Sequence, residues 1–275
     1  MDKRKKMKEK KMKREIHFSD ELNDDFAGMN IKRKNLPLSY KYIHTNPFWR
    51  FCEFVLYYIL ALPLVFISQK LAYNFRFVNK KVLDCYKKEG CFIYGNHTLT
   101  CGDAFTPSLL SFPKKAFIVT SPDAVSVPLT GTLVEMLGAM PLPTQFAGMR
   151  NFREAVDTRA KNGKCIVIYP EAHIWPYYTK IRPFKDVSFK YAAETNKPAF
   201  CFTTTYQKRR HCAKPKVTVY IDGPFYPDEN LPIKENQKML RNSVYEAMCK
   251  RSKNSDYEYY SYTRLPENTE ENNNE

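Results

Sequence analysis

This sequence predicts an α/β fold: a largely parallel or mixed sheet flanked by helices, with a membrane-associated helical segment ahead of it. Two observations lead there. From about residue 90 onward, short apolar runs (CFIY, AFIVT, CIVIY, AFCFTTTY, VTVYI) alternate with segments of helical spacing, the pattern of βαβ units. Before them, Phe54 to Ile67 (FVLYYILALPLVFI) passes fourteen residues without a charge. With 275 residues and a hydrophobic fraction of 43%, the chain can build one substantial domain with short appendages, and two full domains are not expected.

The chain opens on MDKRKKMKEKKMKREI, nine Lys or Arg against three acids, so residues 1–35 read as a basic flexible arm. Residues 46–75 read as a helical anchor. Its fourteen-residue apolar run is short of the roughly 20 residues that span a bilayer, and Pro63 interrupts it. Basic residues flank it on both sides: Lys32, Arg33, Lys34 and Arg50 before, Lys70, Arg76, Lys80 and Lys81 after. A simple span would place one of these flanks outside, against the positive-inside tendency. A monotopic or re-entrant anchor on the cytoplasmic face of a membrane is expected instead, with Trp49, Tyr57 and Tyr58 near the headgroups.

The α/β body is expected over residues 80–253. A buried strand at CFIY leads into the loop NHTLTCG and a helix starting near Asp103. AFIVTS is strand-like, LTGTLVEMLGA has helical spacing, and a short strand near AMPLP follows. In GMRNFREAVDTRAKNG, Met149, Phe152, Val156 and Ala160 share one helix face, and Gly163 is a natural stop. Then come the strand KCIVIY, the polar loop EAHIWPYYTKIRPF, a helix over DVSFKYAAETN, the strands KPAFCFTTTY and KVTVYIDGPF, and a long helix from about Lys234 to Lys253. Residues 264–275 lack apolar periodicity and are expected to be a disordered tail.

The formal charge of +15 points to an anionic partner without choosing among them. The basic arm fits an anionic membrane surface. No nucleic-acid partner is expected, because the chain has neither an RNA-recognition aromatic signature nor a Gly-rich nucleic-acid loop. The eight cysteines (Cys52, Cys85, Cys91, Cys101, Cys165, Cys201, Cys212 and Cys249) show no C-x-x-C pair, and several lie in apolar runs. They read as reduced core residues of a cytosol-facing protein.

Reactive residues gather in two places. Asn96-His97 directly follows the strand CFIYG, and Pro170-Glu171 directly follows CIVIY. In open α/β sheets, sites form where loops leave the carboxyl ends of strands. YGNHTLTCGDAF, followed about seventy residues later by IVIYPEAHIW, resembles the 1-acylglycerol-3-phosphate acyltransferase family, whose first motif is NH-x4-D and whose third is an apolar strand ending in F-P-E-G-T-R. The resemblance covers roughly residues 50 to 225 and implies a glycerol-3-phosphate acyltransferase-like fold. Here the first motif is NH-x5-D, and Ala172, His173 and Ile174 replace Gly-Thr-Arg.

The resemblance implies transfer of a fatty acyl group from acyl-CoA or acyl carrier protein to the hydroxyl of a lysophosphatidic-acid-like acceptor, with no cofactor beyond that co-substrate. It makes His97 the general base and Asp103 its orienter. A loop bearing Gly102 can bulge by one residue and still return Asp103 to His97. Asn96, Pro170, Glu171 and His173 are expected at the acceptor end. GMRNFRE loosely matches the family's phosphate-contacting second motif, giving Arg150, with Arg153 second; Lys185 sits in a Pro-Phe-Lys segment, and Lys180 and Arg182 are further available cations.

Other classes stay open at this point. A metal hydrolase could draw on His97, Cys101, Asp103 and His173, although no H-E-x-x-H or paired Cys/His spacing supports it. A thiol-dependent hydrolase could use Cys101 with His97 as base. A non-enzymatic basic protein bound to membrane or nucleic acid would explain the charge, but not the two strand-end motifs.

Overall fold

A computed structural model describes residues 14–26, 28, 35–100, 102–126 and 130–266. The basic stretch 1–13, Cys101 and the tail 267–275 lie outside the described residues.

The centre is a seven-stranded mixed sheet. In chain order its strands are β2 (Arg76–Val78), β3 (Cys91–Gly95), β4 (Ala116–Thr120), β5 (Ala139–Pro141), β6 (Cys165–Ile168), β7 (Ala199–Gln207) and β8 (Lys216–Phe225). Their spatial order is β2-β8-β7-β3-β6-β4-β5, and only the β7–β8 pair is antiparallel. That pair is joined by a short hairpin, whereas each parallel neighbour needs a helical crossover. A separate two-stranded parallel sheet pairs β1 (Arg14–Phe18) with β9 (Tyr260–Arg264).

The central strands read as unbroken apolar runs because both faces are covered. In β3 and β6, successive side chains point to opposite faces. Phe92, Tyr94, Ile166 and Ile168 join one core with Phe152, Val156 and Ala160 of α4 (Met149–Lys161), Ala192 of α5 (Lys190–Thr195), and Leu240, Val244 and Met248 of α6 (Ile233–Ser252). Cys91, Ile93, Cys165 and Val167 join the other, with Leu99, Leu110, Phe200 and Phe202. Gly163, at φ 70°, ends α4 in the left-handed conformation, as the sequence predicts.

The anchor differs from expectation. Helix α1 runs unbroken from Pro47 to Tyr73, 27 residues, and is long and apolar enough to cross a membrane. At about 1.5 Å per residue it measures roughly 40 Å. The length objection therefore falls, because the helix continues on both sides of the uncharged run through turns that carry Phe48, Trp49, Phe51 and Leu71 among a few charges. Pro63 does not interrupt it: Val55–Ala61 winds as a wider π-helix, and Pro63 sits at the start of the α-turns that follow. One face packs on the body through Tyr57, Leu62 and Val65 against Leu109, and Ala116 donates its backbone N–H to the Tyr57 hydroxyl at 3.1 Å.

Both chain ends also depart from expectation. Residues 14–26 are built into the fold where a flexible arm was predicted. Phe18 and Phe26 pack against Trp175, whose indole N–H donates to the Asp24 carbonyl at 2.7 Å. Arg264, placed in the tail by sequence, lies in β9, and Tyr262 of that strand stacks on Trp175 at 5.0 Å. The pairing is non-local, so neither strand shows a local signal for the partner that orders it.

Candidate active site

The site begins where β3 and β6 end. Tyr94 of β3 pairs with Ile168 of β6, so the loops that leave the two strands, starting at Asn96 and Tyr169, emerge side by side. Asn96 fixes the first loop. Its buried amide donates to the Thr204 carbonyl at 3.1 Å and accepts from the Thr204 N–H at 2.7 Å, tying the end of β3 to β7. This corrects the expected acceptor contact: both faces of the amide are occupied by backbone.

The residue after it is accessible. The His97 side chain is 23% exposed, while that of Asp103 is 1% exposed, and His97 Nδ1 lies 2.8 Å from Asp103 Oδ2. The same oxygen accepts the Leu99 N–H at 2.8 Å. A carboxylate only accepts hydrogen bonds, so Nδ1 carries the proton and Nε2 is left with its lone pair.

The extra motif residue is absorbed by a helical turn. The N–H groups of Gly102 and Asp103 both bond the Leu99 carbonyl at 2.8 Å, which folds the chain back before α2 (Thr106–Ser111) begins. A β-carbon on Gly102 would collide with the Leu99 side chain, so a larger residue there would require Leu99 to move. Asp103 thus precedes the helix that was expected to start at it.

The second loop supports the first. Tyr169 turns into Ala172, whose N–H bonds the Tyr169 carbonyl at 3.1 Å, and Pro170 occupies the second position of that turn. Pro170 is thereby a turn residue. Ala172 holds φ 63°, the left-handed conformation that the glycine of the family motif would adopt without strain.

Glu171 is buried and faces inward. Its carboxylate accepts the His97 N–H at 3.1 Å and the Arg182 N–H at 3.2 Å, and Arg182 Nη2 lies 3.5 Å from Oε2. Burial pushes the Glu171 carboxyl above the usual carboxylate range, against the opposing pull of Arg182. Burial likewise lowers the Arg182 guanidinium. Both directions favour the neutral forms, so desolvation outweighs the attraction between the pair. Neither residue reaches solvent, which corrects Glu171 from acceptor contact to strut of the His97 loop and removes Arg182 as a phosphate ligand.

The remaining expected ligands are not drawn together. Arg150 pairs with Glu154 along α4, and Arg153 pairs with Glu194 of α5 at 2.9 Å; no described contact links either to His97. His173 lies 3.6 Å from Asp25, in the segment that clasps the loop. Lys180 and Lys185 are exposed. Trp175 is wholly buried, and its backbone N–H donates to the His97 carbonyl at 3.1 Å.

Tyr169 is the functional residue that sequence reasoning passed over. Its ring stacks on His97 at 4.5 Å and 22°, and its hydroxyl donates to the Asp103 carbonyl at 2.5 Å. Burial drives this phenol well above the usual tyrosine range, so it stays a donor. The available signal was its place, the last residue of an apolar run before Pro-Glu.

A histidine held against a buried carboxylate where loops leave the carboxyl ends of parallel strands is the arrangement the first motif implied. The acyltransferase family model matches residues 72–209, half of the chain. The chain belongs to the acyltransferase family. Among solved structures, this acyltransferase is similar to the 1-acyl-sn-glycerophosphate (LPA) acyltransferase PlsC from Thermotoga maritima, with 16% sequence identity and a TM-score of 0.51 over 74% of this chain and 87% of that one. At that identity the likeness establishes a shared fold. No curated protein matches the acyltransferase in sequence.

Proposed function

We propose that this acyltransferase moves a fatty acyl group from an acyl-CoA or acyl carrier protein thioester to the hydroxyl of a lysophosphatidic-acid-like glycerolipid. The observation that carries the reading is the 2.8 Å contact between a partly exposed His97 and a buried Asp103. The acceptor class is supported by the fold shared with the Thermotoga maritima 1-acyl-sn-glycerophosphate acyltransferase.

The mechanism is direct attack. Nε2 of His97 takes the acceptor hydroxyl proton as that oxygen attacks the thioester carbonyl. The imidazolium is stabilised through Nδ1 by Asp103, and Tyr169 covers one ring face. The tetrahedral intermediate collapses with cleavage of the C–S bond, the thiolate takes the proton back from Nε2, and the histidine returns neutral. No acyl-enzyme forms.

Nine large apolar side chains of α1 are exposed: Phe48, Phe51, Phe54, Ile59, Leu60, Leu64, Phe66, Ile67 and Leu71. Leaving them in water forgoes on the order of 10 kcal/mol of burial at about 1.5 kcal/mol each. The opposite face is buried on the body only at Tyr57, Leu62, Val65 and Gln69, and this reading places α1 along the membrane with the domain on its cytosolic side. That orientation presents the site to a lipid acceptor.

The test is a lipid-product assay of the protein and of His97→Ala with labelled acyl donors and a panel of lysophospholipids. Acyl product from the unaltered protein alone is the expected result. Product from both, or from neither with any acceptor, overturns the reading. Retained activity in Cys101→Ala separates it from a thiol mechanism.

A further inference from the structure

The apolar face of α1 ends beside a feature that the mechanism does not use. Leu60, Leu64, Ile67 and Leu71 are all exposed and recur at helical spacing, so they form one stripe that runs to the helix end. Asn74, at φ 45°, stops the helix there. At that end Arg209 donates from Nη1 to the Ala72 carbonyl at 3.1 Å. Arg209 belongs to the hairpin joining β7 to β8, residues 208–215, whose sequence KRRHCAKP holds four Lys or Arg and no acid. Lys208, Arg210, His211 and Lys214 are exposed, and Lys70 and Arg76 add exposed cations on either side of the helix stop.

Two physical facts give this patch a direction. Strand β7 is parallel to β3, so the hairpin leaves the sheet at the same end as the His97 loop, and the Tyr206 hydroxyl donates to the Thr98 carbonyl at 3.0 Å. The Arg209 bond fixes the hairpin to the terminus of the helix whose outer face is apolar. Asp256 accepts the Lys208 backbone N–H at 3.0 Å and leaves the lysine side chain exposed. An apolar stripe that ends in an acid-free cationic loop matches the order of acyl chains and phosphate headgroups across one leaflet.

We propose that the hairpin of residues 208–215 is a docking surface for anionic phospholipid headgroups. It seats the carboxyl end of α1, and with it the His97 loop, at the membrane. The proposal rests on the reading of α1 as lipid-facing and adds an electrostatic contact distinct from the basic stretch 1–13.

The test is flotation of the full-length protein with vesicles of phosphatidylcholine alone and with vesicles also containing phosphatidylserine. It compares the unaltered protein with Lys208→Gln/Arg210→Gln/Lys214→Gln, after thermal unfolding has shown both to be folded. Arg209 is kept because it caps the helix. At about fivefold per surface cation, the triple variant is expected to lose roughly a hundredfold in partition to anionic vesicles and to match the unaltered protein on neutral ones. Undiminished anionic binding by the variant overturns the proposal, as does an equal loss on both vesicle types. Release from anionic vesicles by free CoA, in the unaltered protein only, would assign the cations to the donor's phosphates and overturn it too. Failure of the unaltered protein to bind any vesicle would instead defeat the lipid-facing reading of α1.

Discussion

Asp103→Asn isolates the orienting carboxylate with almost no change of volume. At present Oδ2 accepts both from His97 Nδ1 and from the Leu99 N–H, while Oδ1 is buried without a partner among the described residues. An asparagine has two ways to sit. With its oxygen in the Oδ2 place, both bonds survive, but the charge that stabilises the imidazolium is gone and a buried NH2 group faces no acceptor, at about 1–3 kcal/mol. With its NH2 group there, it opposes the Leu99 donor and donates to Nδ1. That forces the proton onto Nε2, the atom that must act as base. Either way the loss falls on the transition state. Loss of the equivalent role in a Ser-His-Asp triad costs about 10⁴ in kcat, so a fall of roughly 10³–10⁴ is expected here, or about 4–5.5 kcal/mol of barrier. Initial rates at saturating donor and acceptor separate kcat from KM, and KM should change little because the carboxylate does not reach substrate. A kcat within about tenfold of the unaltered protein, in a variant with normal thermal unfolding, would refute the assignment of Asp103.

Three further outcomes follow from the same geometry. Tyr169→Phe keeps the stack on His97 but loses the bond to the Asp103 carbonyl, about 1 kcal/mol; a several-fold fall in kcat at constant KM is expected in steady-state kinetics. Asn96→Ala strands the N–H and carbonyl of Thr204 in the core, so a calorimetric or denaturant measurement should show a loss of about 2–4 kcal/mol, and a loss under about 0.5 kcal/mol would contradict its role as a strut. The Glu171 carboxyl has a folded pKa raised by burial, so it binds its proton more tightly folded than unfolded. Its contribution to stability is full below the unfolded value of about 4.3 and is lost as pH rises through the higher folded value. Against Glu171→Gln, which has no such titration, the unaltered protein should therefore lose relative stability as pH is raised from about 4 through that window, and parallel unfolding curves across it would count against the raised pKa.

The sequence by itself determined a large part of this protein. Its alternation of apolar runs and helical segments gave the α/β order, because burial on both faces leaves a mark on every residue of a central strand. His97 and Glu171 were legible as strand-end residues, and Asp103 as the nearest carboxylate to His97. What each side chain does was decided by depth, which sequence does not encode. Glu171 and Arg182 look like surface ligands in a basic chain, yet both are buried and hold the His97 loop from beneath. Arg150 looks like a phosphate contact, yet it is 85% exposed and paired along its own helix.

The contacts that sequence could not supply are the non-local ones. The ends of the chain meet in the β1–β9 sheet and close over Trp175, a pairing about 250 residues apart along the chain that no local pattern announces. Helix α1 was readable as apolar, but only packing showed that one of its faces belongs to the body and the other stays exposed. Composition and periodicity report what a segment can bury. Which partner buries it, and which atoms remain free to react, is settled by the tertiary fold.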